Sequence, residues 1–436
     1  MKYVSTRGGG GLSLEEAATR GIAPDGGLFV PERLPRFTTG DYAGAGSIHD
    51  VARTFLQPFF DGSSLAGELA HIVRETFRFP LAVRDLPVAD GRAGLLELFH
   101  GPTAAFKDIG AGFLAAVLTR LNADAARPLT ILVATSGDTG SAVAAAFDER
   151  PGVRVVVLYP DGRVSARQAH QLGCWGRNVL TLAVQGSFDD CQSLVKAAFL
   201  DPALSSKRRL SSANSINIGR LLPQCVYYAW AALSHFRETG REPGFIVPTG
   251  NLGNAFACIT AREAGLPIGD IILAVNANRL IADFLDGAEW RPRTSIPTLA
   301  SAMDVGNPGN MERLRDLLGE AEELRRRLRV ESVSDDAIRA QIREVYEKLG
   351  TIVCPHTATA TFVYSRLGAS ARRNKDWILV ATAHPAKFEQ IVEPLIGVPV
   401  PLPGSLARLL ARPTRVLPMN PSLESLATAL DRRFPA

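Results

Sequence analysis

Short runs of consecutive apolar residues, each followed by a stretch of helical periodicity, constrain this chain more than any other feature. Leu129–Ala134 precedes a helical pattern over Ser141–Asp148, Val153–Tyr159 precedes Ser165–Leu172, and Val179–Val184 precedes Phe188–Phe199. Further on, Gly244–Val247 precedes Gly253–Ala264, Ile271–Val275 precedes Leu280–Leu285, and Trp377–Val380 precedes Lys387–Leu395. A strand that is apolar at successive positions is covered on both faces, and helical crossovers are what join parallel strands while covering them. The chain therefore reads as α/β, with open parallel sheets flanked by helices. In such sheets ligands bind at the carboxyl ends of the strands, in the loops that lead into the helices.

Three regions break the rhythm. Residues 1–95 carry helical pieces (Ser13–Gly21, Ile48–Phe60, Ala70–Phe77) divided by Gly and Pro, which reads as a separate, mainly helical N-terminal unit. Residues 310–349 are charged and helical, with Ser334-Asp335-Asp336 as a start signal and Gly350 as a stop. Pro399–Pro421 is Pro-rich and reads as a surface connector. The 436 residues suffice for two to three domains at about 150 residues each. The expected division is 1–95, a smaller α/β domain over 96–210, a larger one over 211–400, and a C-terminal connector and helix over 401–436.

Lys and Arg total 48 and Asp and Glu 44, a net charge of +4 with no basic block, so no nucleic-acid footprint is expected. The run Arg325-Arg326-Arg327 sits in mixed charge and reads as a solvated helix face. No apolar run approaches the roughly 18 residues of a membrane span. Met1–Gly11 is polar and Gly-rich, with no apolar core of a signal peptide. The five Cys are odd in number and lack CxxC spacing, which fits reduced thiols in the cytoplasm better than disulfides or zinc. The seven His show no HxH or HxxxH spacing and GxSxG is absent, which argues against a metal hydrolase and a serine hydrolase. No metal site is expected.

The unusual residues lie in the strand-to-helix loops. Lys107 sits in His100–Gly110, among Ala104, Ala105, Phe106 and Ile109. A snorkelling lysine would satisfy that window, and so would a Schiff-base lysine made nucleophilic by desolvation. A cation in the first turn of the helix that follows opposes the helix dipole. Thr135, Ser136, Asp138 and Thr139 crowd the turn after Leu129–Ala134, where backbone N–H groups and hydroxyls would hold an anion; ordinary helix capping would explain any one of them. Gly250, Asn251, Leu252, Gly253 and Asn254 form a second strand-to-helix loop that can cradle a phosphate, although GxxxxGK[ST] and GxGxxG are both absent. Thr382 follows the last strand, and His384 beside it reads as structural, having no acidic partner nearby. The polar run Ser211–Arg220 adds Asn217 and Arg220, the latter suited to bidentate phosphate recognition. An amine, a phosphate cradle and a hydroxyl-rich turn are together what pyridoxal 5'-phosphate needs from a protein.

These residues lie in segments that resemble the threonine synthase family, within the tryptophan-synthase-β-like group of pyridoxal phosphate enzymes. The segments are ATRGIAPDGGLFVPERLP (18–35), LELFHGPTAAFKDIG (96–110), ATSGDTGSA (134–142), NSINIGR (214–220), VPTGNLGN (247–254), SAMDVGNPGN (301–310) and TAHPAKF (382–388), in the family's order. The resemblance implies the type II pyridoxal phosphate fold, with the cofactor lysine and the carboxylate turn in the smaller domain and the phosphate cradle in the larger. It implies that Lys107 carries the cofactor and acts as general base. Gly250–Asn254 would hold the cofactor phosphate, Thr382 its ring nitrogen, and Asp138 would lie near its ring oxygen. Thr135, Ser136 and Thr139 would hold the substrate carboxylate, and Asn217 and Arg220 the substrate phosphate. The implied reaction converts O-phospho-L-homoserine and water to L-threonine and phosphate by γ-elimination and β-addition of water. The implied partners are that small molecule alone, with no membrane or nucleic acid, for a monomer or homodimer. Leu252 departs from the family's Phe, Ile218-Gly219 differ before Arg220, and Cys354 stands where an acidic residue is expected. A lyase for another phospho- or hydroxy-amino acid, or a silent cofactor-binding homologue, remain alternative readings.

Overall fold

In the computed structural model, residues 1–123 and 125–435 are described. The strands are β1 (Tyr3–Ser5), β2 (Phe29–Pro31), β3 (Ala82–Leu86), β4 (Ala93–Glu97), β5 (Leu129–Ala134), β6 (Val153–Pro160) and β7 (Val179–Val184). They continue with β8 (Arg209–Ser212), β9 (Gly244–Pro248), β10 (Ile271–Val275), β11 (Arg329–Ser332), β12 (Trp377–Ala381) and β13 (Leu417–Met419). Two sheets dominate. One has the order β11-β10-β9-β12-β4-β3, parallel except for the antiparallel edge strand β3. The other has the order β13-β7-β6-β5-β8 and is parallel throughout. The strands β5, β7, β9, β10 and β12 are buried at every residue, which is why their sequences are apolar without alternation.

The sheets do not divide the chain at the expected boundaries. The division at 95/96 cuts through β4, which with β3 belongs to the larger sheet rather than to an N-terminal unit. Strand β8 pairs with β5 in the smaller sheet, and β13 returns from the C-terminal connector to pair with β7 there. Residues 310–349 are not one helix: helices Met311–Leu318 and Ala321–Arg327 precede β11, and Asp335–Leu349 follows it. Ser334 caps that last helix by accepting from the Ala337 N–H, and Gly350 ends it in the left-handed conformation.

Two helices join the halves. Lys107–Leu121 and Ile218–Thr239 pack on each other and on the helix Ile48–Phe60 or Leu69–Thr76 of the N-terminal segment. Lys107–Leu121 buries residues around its whole circumference, as a helix at the centre of a core must. Among the described residues no helix is long and apolar enough to cross a membrane, and the five Cys are buried free thiols.

Candidate active site

The predicted loops meet in a cavity of about 200 Å³ between the carboxyl ends of the two sheets. Strand β12 lies between β9 and β4, so the segments after all three leave the larger sheet side by side. Beyond β12 the chain stays paired with the turn before Lys107: Phe106 N–H donates to Thr382 O (2.9 Å) and His384 N–H to Ala104 O (3.0 Å). That ladder places Thr382 and Lys107 in one wall. Both line the cavity, and the Thr382 hydroxyl makes no hydrogen bond among the described residues. In the smaller sheet β5 neighbours β8, and Asn214 Nδ2 donates to Ala134 O (3.0 Å), which sets Asn214 and Arg220 beside the 135–139 turn.

Lys107 is shielded from bulk water yet open to the cavity, and burial brings its amine down to about 8. Asp108, the next residue, accepts from Thr103 N–H (2.9 Å) and Thr103 Oγ1 (2.6 Å). Burial still raises its carboxyl to about 6. Asp138 keeps its carboxyl well below the usual range against its own burial, because the ammonium groups of Lys387 and Lys107 face it. Its Oδ1 pairs with Lys387 Nζ at 2.7 Å and accepts from Gln168 Nε2 at 3.1 Å. Gly137 (φ +134°) makes room for that amide: a Cβ there would come within 2.6 Å of Gln168 Nε2.

The 135–139 turn is built to receive an anion. Thr135 Oγ1 accepts from the N–H groups of Gly137 (3.0 Å) and Gly140 (2.9 Å), so this hydroxyl shapes the turn and has only its proton to give. The N–H groups of Ser136, Asp138 and Thr139 find no acceptor among the described residues, and they open the helix Asp138–Phe147.

The 250–254 loop has the same character. Among the described residues the N–H groups of Gly250, Asn251, Leu252, Gly253 and Asn254 have no acceptor, and they converge at the start of the helix Gly253–Glu263. Leu252 takes the left-handed conformation (φ +60°) and is fully buried, so the loop uses its N–H and not its side chain. Its departure from Phe therefore changes the packing behind the loop. Gly250 is required by contact: a Cβ would lie 2.6 Å from Met303 Cα. Asn251 Nδ2 donates to Ser215 Oγ (2.6 Å), while its Oδ1 accepts from Gly309 N–H (2.6 Å). Asn310 Nδ2 donates to Asn251 O (2.9 Å). The fully buried Arg313 anchors this set, donating to Asn310 Oδ1 (2.6 Å), Ile216 O (2.6 Å) and Phe29 O (3.0 Å). Behind the loop, Tyr227 and Tyr228 both donate to Asn254 Oδ1 at 2.7 Å.

One expectation needs correction. Asn217 is fully buried and does not line the cavity. Its Oδ1 accepts from Gly219 N–H and caps the helix Ile218–Thr239, while its Nδ2 donates to Ala18 O and Ser212 O, so both of its side-chain polar atoms are spent within the chain. Arg220 does line the cavity; Nη1 donates to Ala213 O while Nε has no partner.

Sequence reading also missed two groups. His356 Nε2 accepts from Ala302 N–H (3.0 Å), and burial holds the ring down to about 4, so the imidazole is neutral. Its signal was the Cys354-Pro355-His356 departure. Lys387 is fully buried behind the wall, and its signal lay inside the TAHPAKF segment. His384 accepts from Ala386 N–H (3.2 Å) and packs edge-on against Phe99, a structural role.

Unpartnered N–H groups at two helix starts, a buried amine and a free hydroxyl in one cavity fit pyridoxal phosphate and an amino-acid substrate. Known proteins agree. The family model described as "Pyridoxal-phosphate dependent enzyme" matches residues 95–383, "Threonine synthase N terminus" matches 2–77, and "Threonine synthase, C-terminal" matches 357–430. The threonine synthase of Escherichia coli (strain K12) is 39% identical over 91% of each chain. The crystal structure of threonine synthase from Escherichia coli superposes with a TM-score of 0.90 at 37% identity, covering 99% of this chain and 100% of that one. The structure of PLP-bound threonine synthase from Brucella melitensis gives 0.89 at 34% identity, covering 100% of both. By sequence, fold and the contents of its cavity, this chain belongs to the threonine synthase family of pyridoxal-phosphate-dependent enzymes.

Proposed function

We propose that the chain converts O-phospho-L-homoserine and water to L-threonine and phosphate, with the residues of this cavity in the following roles. The observation that carries the reading is the pairing of a desolvated lysine with two sets of unpartnered helix-start N–H groups in one cavity. Pyridoxal phosphate, when bound, supplies an electron sink for breaking bonds next to the substrate nitrogen. Lys107 would hold it through its amine, the N–H groups of Gly250–Asn254 would hold its phosphate, and the Thr382 hydroxyl its ring nitrogen. The low pKa of Lys107, about 8, leaves a useful fraction of neutral amine near neutral pH. That amine can then act as general base on the α carbon and next on the β carbon of the substrate, with phosphate leaving from the γ carbon and water adding at the β carbon. Ser136 and Thr139, with the free N–H groups of their turn, bind the substrate carboxylate. Thr135 shapes that turn, and Asp138 fixes the charge beside Lys107. Arg220, whose guanidinium lines the cavity, binds the substrate phosphate; Asn217 positions it by capping the same helix. The neutral His356 keeps a further cation out of the wall.

The enzyme is expected to work in the cytoplasm as a monomer or homodimer, which fractionation and sedimentation would test. The reaction itself is tested by adding O-phospho-L-homoserine to the enzyme loaded with pyridoxal phosphate. Threonine and phosphate should appear in equal amounts. Phosphate without threonine, or no reaction, overturns the assigned substrate.

A further inference from the structure

The site holds two lysines shielded from bulk water, and only one lines the cavity. Lys387, from the turn after β12, is fully buried, with Nζ 2.7 Å from Asp138 Oδ1 and 2.7 Å from Thr103 O. Its backbone is held from the smaller sheet's side: Ser165 Oγ donates to Lys387 O (3.2 Å), and Arg167 donates to Ala386 O (2.5 Å) and pairs with Glu389 (3.4 Å). Asp138 is the carboxylate that faces Lys107, so a buried Lys107 ammonium has one obvious counter-ion, and Lys387 has taken it.

We propose that Lys387 is a positioning residue for Lys107: by occupying the Asp138 carboxylate it leaves the Lys107 amine without a counter-ion, and therefore neutral and nucleophilic. This rests on the reading of Lys107 as the cofactor lysine.

The charges around the two amines support it. Facing Lys107 are Asp138 from the helix Asp138–Phe147, Arg220 from Ile218–Thr239, Lys387 from the 385–388 turn and His356 from Pro355–Arg366. Facing Lys387 are Asp138, Asp108, His356 and His384. Burial holds both imidazoles down to about 4, so near neutral pH neither carries charge. That leaves three cations and two carboxylates. Asp138 is paired with Lys387, and Asp108 faces Arg220. The unmatched cation is Lys107. A buried ammonium without a counter-ion gives up its proton more readily than a paired one. Removing the Lys387 charge would free Asp138 to pair with Lys107 and hold that amine protonated. Neutralising Asp138 would instead leave Lys387 facing Lys107 unopposed.

The test is trace acetylation of the full-length protein, stripped of cofactor, at a series of pH values, with the Lys107 peptide followed by mass spectrometry. In Lys387→Met the Lys107 midpoint should rise by about one pH unit or more, and in Asp138→Asn it should fall. Lys387→Arg, which keeps the charge, should restore the wild-type midpoint. An unmoved midpoint in both Lys387→Met and Asp138→Asn overturns the proposal and leaves the pair merely structural. If Lys387→Met does not fold, Asp138→Asn against Lys387→Arg decides alone, and an equal midpoint in those two overturns the proposal. A separate arm reduces the cofactor-loaded wild type with borohydride. Label on Lys107 keeps the underlying reading, whereas label on Lys387 removes it whatever the acetylation shows.

Discussion

The two walls of the cavity are built from different materials. The lysine wall is made of charge: Lys107, Asp108, Asp138, Arg220 and Lys387 are packed together out of bulk water, and four of them titrate far from their ordinary ranges. The cradle wall is made of peptide. Its binding groups are the N–H donors of Gly250–Asn254, and Asn251, Ser215, Asn310 and Tyr228 brace them with uncharged hydrogen bonds. Arg313 behind it faces away from the cavity and spends its N–H groups on oxygens of the chain, while Arg293 and Asp304 line the cavity beside the Met303 floor. Proton transfer needs groups whose charge changes near neutral pH, and holding a phosphate needs groups whose charge never changes. The contrast teaches that binding and proton transfer are separable here by mutation.

The sharpest break comes from Lys107→Ala. Turnover should fall by at least about 10³-fold, as expected when a general base and nucleophile is lost, while the thermal melt stays within a few degrees of wild type or rises. Retained activity would remove the chemical half of the contrast. Arg313→Met should do the reverse. Truncation strands the buried Phe29 O and Asn310 Oδ1 and the half-buried Ile216 O, at a cost of about 3 kcal/mol of stability. Cofactor should leave more easily, while the pH profile of residual activity keeps its acid limb. Denaturant unfolding and the pH profile together check this. A shifted acid limb would show that the walls are electrostatically coupled.

Gly250→Ala acts on the cradle alone. The added Cβ, 2.6 Å from Met303 Cα and 2.8 Å from its carbonyl oxygen, must push the loop off its floor. An overpacking cost of about 1–3 kcal/mol translates into roughly 10- to 100-fold weaker pyridoxal phosphate binding, measured by equilibrium dialysis. The Lys107 acetylation midpoint should not move.

How much of this was legible in the sequence follows the same physics. The central strands β5, β6, β7, β9, β10 and β12 could be read because burial on both faces demands apolar residues throughout. The edge strands could not: β3 is AVRDL, β8 is RLSS, β11 is RVES and β13 is LPM. An edge half open to solvent carries charge, hydroxyls or proline, so it resembles a loop. Strand β4 (AGLLE) was lost with its edge partner, and that loss moved the expected domain boundary. In the site, Lys107 and the two helix-start loops were legible because chemistry there demands unusual residues at a strand end. Asn217 was misread because a capping Asn and a ligand-binding Asn look alike before their partners are known. Lys387 lay in plain view inside TAHPAKF and Arg313 beside Asn310, but their roles were hidden because the partners that define them, Asp138, Thr103 and Phe29, lie hundreds of residues away in the chain.

His356 stands where the walls meet and gives the smallest test. Its ring faces Lys107, Lys387 and Asp138, while Nε2 accepts from Ala302 N–H, beside the Met303 floor of the cradle. Burial lowers its pKa from 6.5 to about 4. Between those values the unfolded chain binds a proton that the folded chain refuses, so folding stability falls as pH drops through this window. At pH 5.5 the linkage amounts to about 1 kcal/mol relative to neutral pH. Asp108 works with the opposite sign, since its carboxyl is raised to about 6 and binds protons more readily when folded. A bare stability curve would mix the two, but the difference from His356→Gln cancels Asp108. Glutamine can accept from Ala302 N–H and does not titrate. Wild type should therefore lose about 1 kcal/mol more than His356→Gln between pH 7.5 and 5.5, read by urea unfolding at each pH. Parallel curves would mean that the folded protein protonates this imidazole freely, and the boundary between charged wall and neutral cradle would have to be drawn on the other side of it.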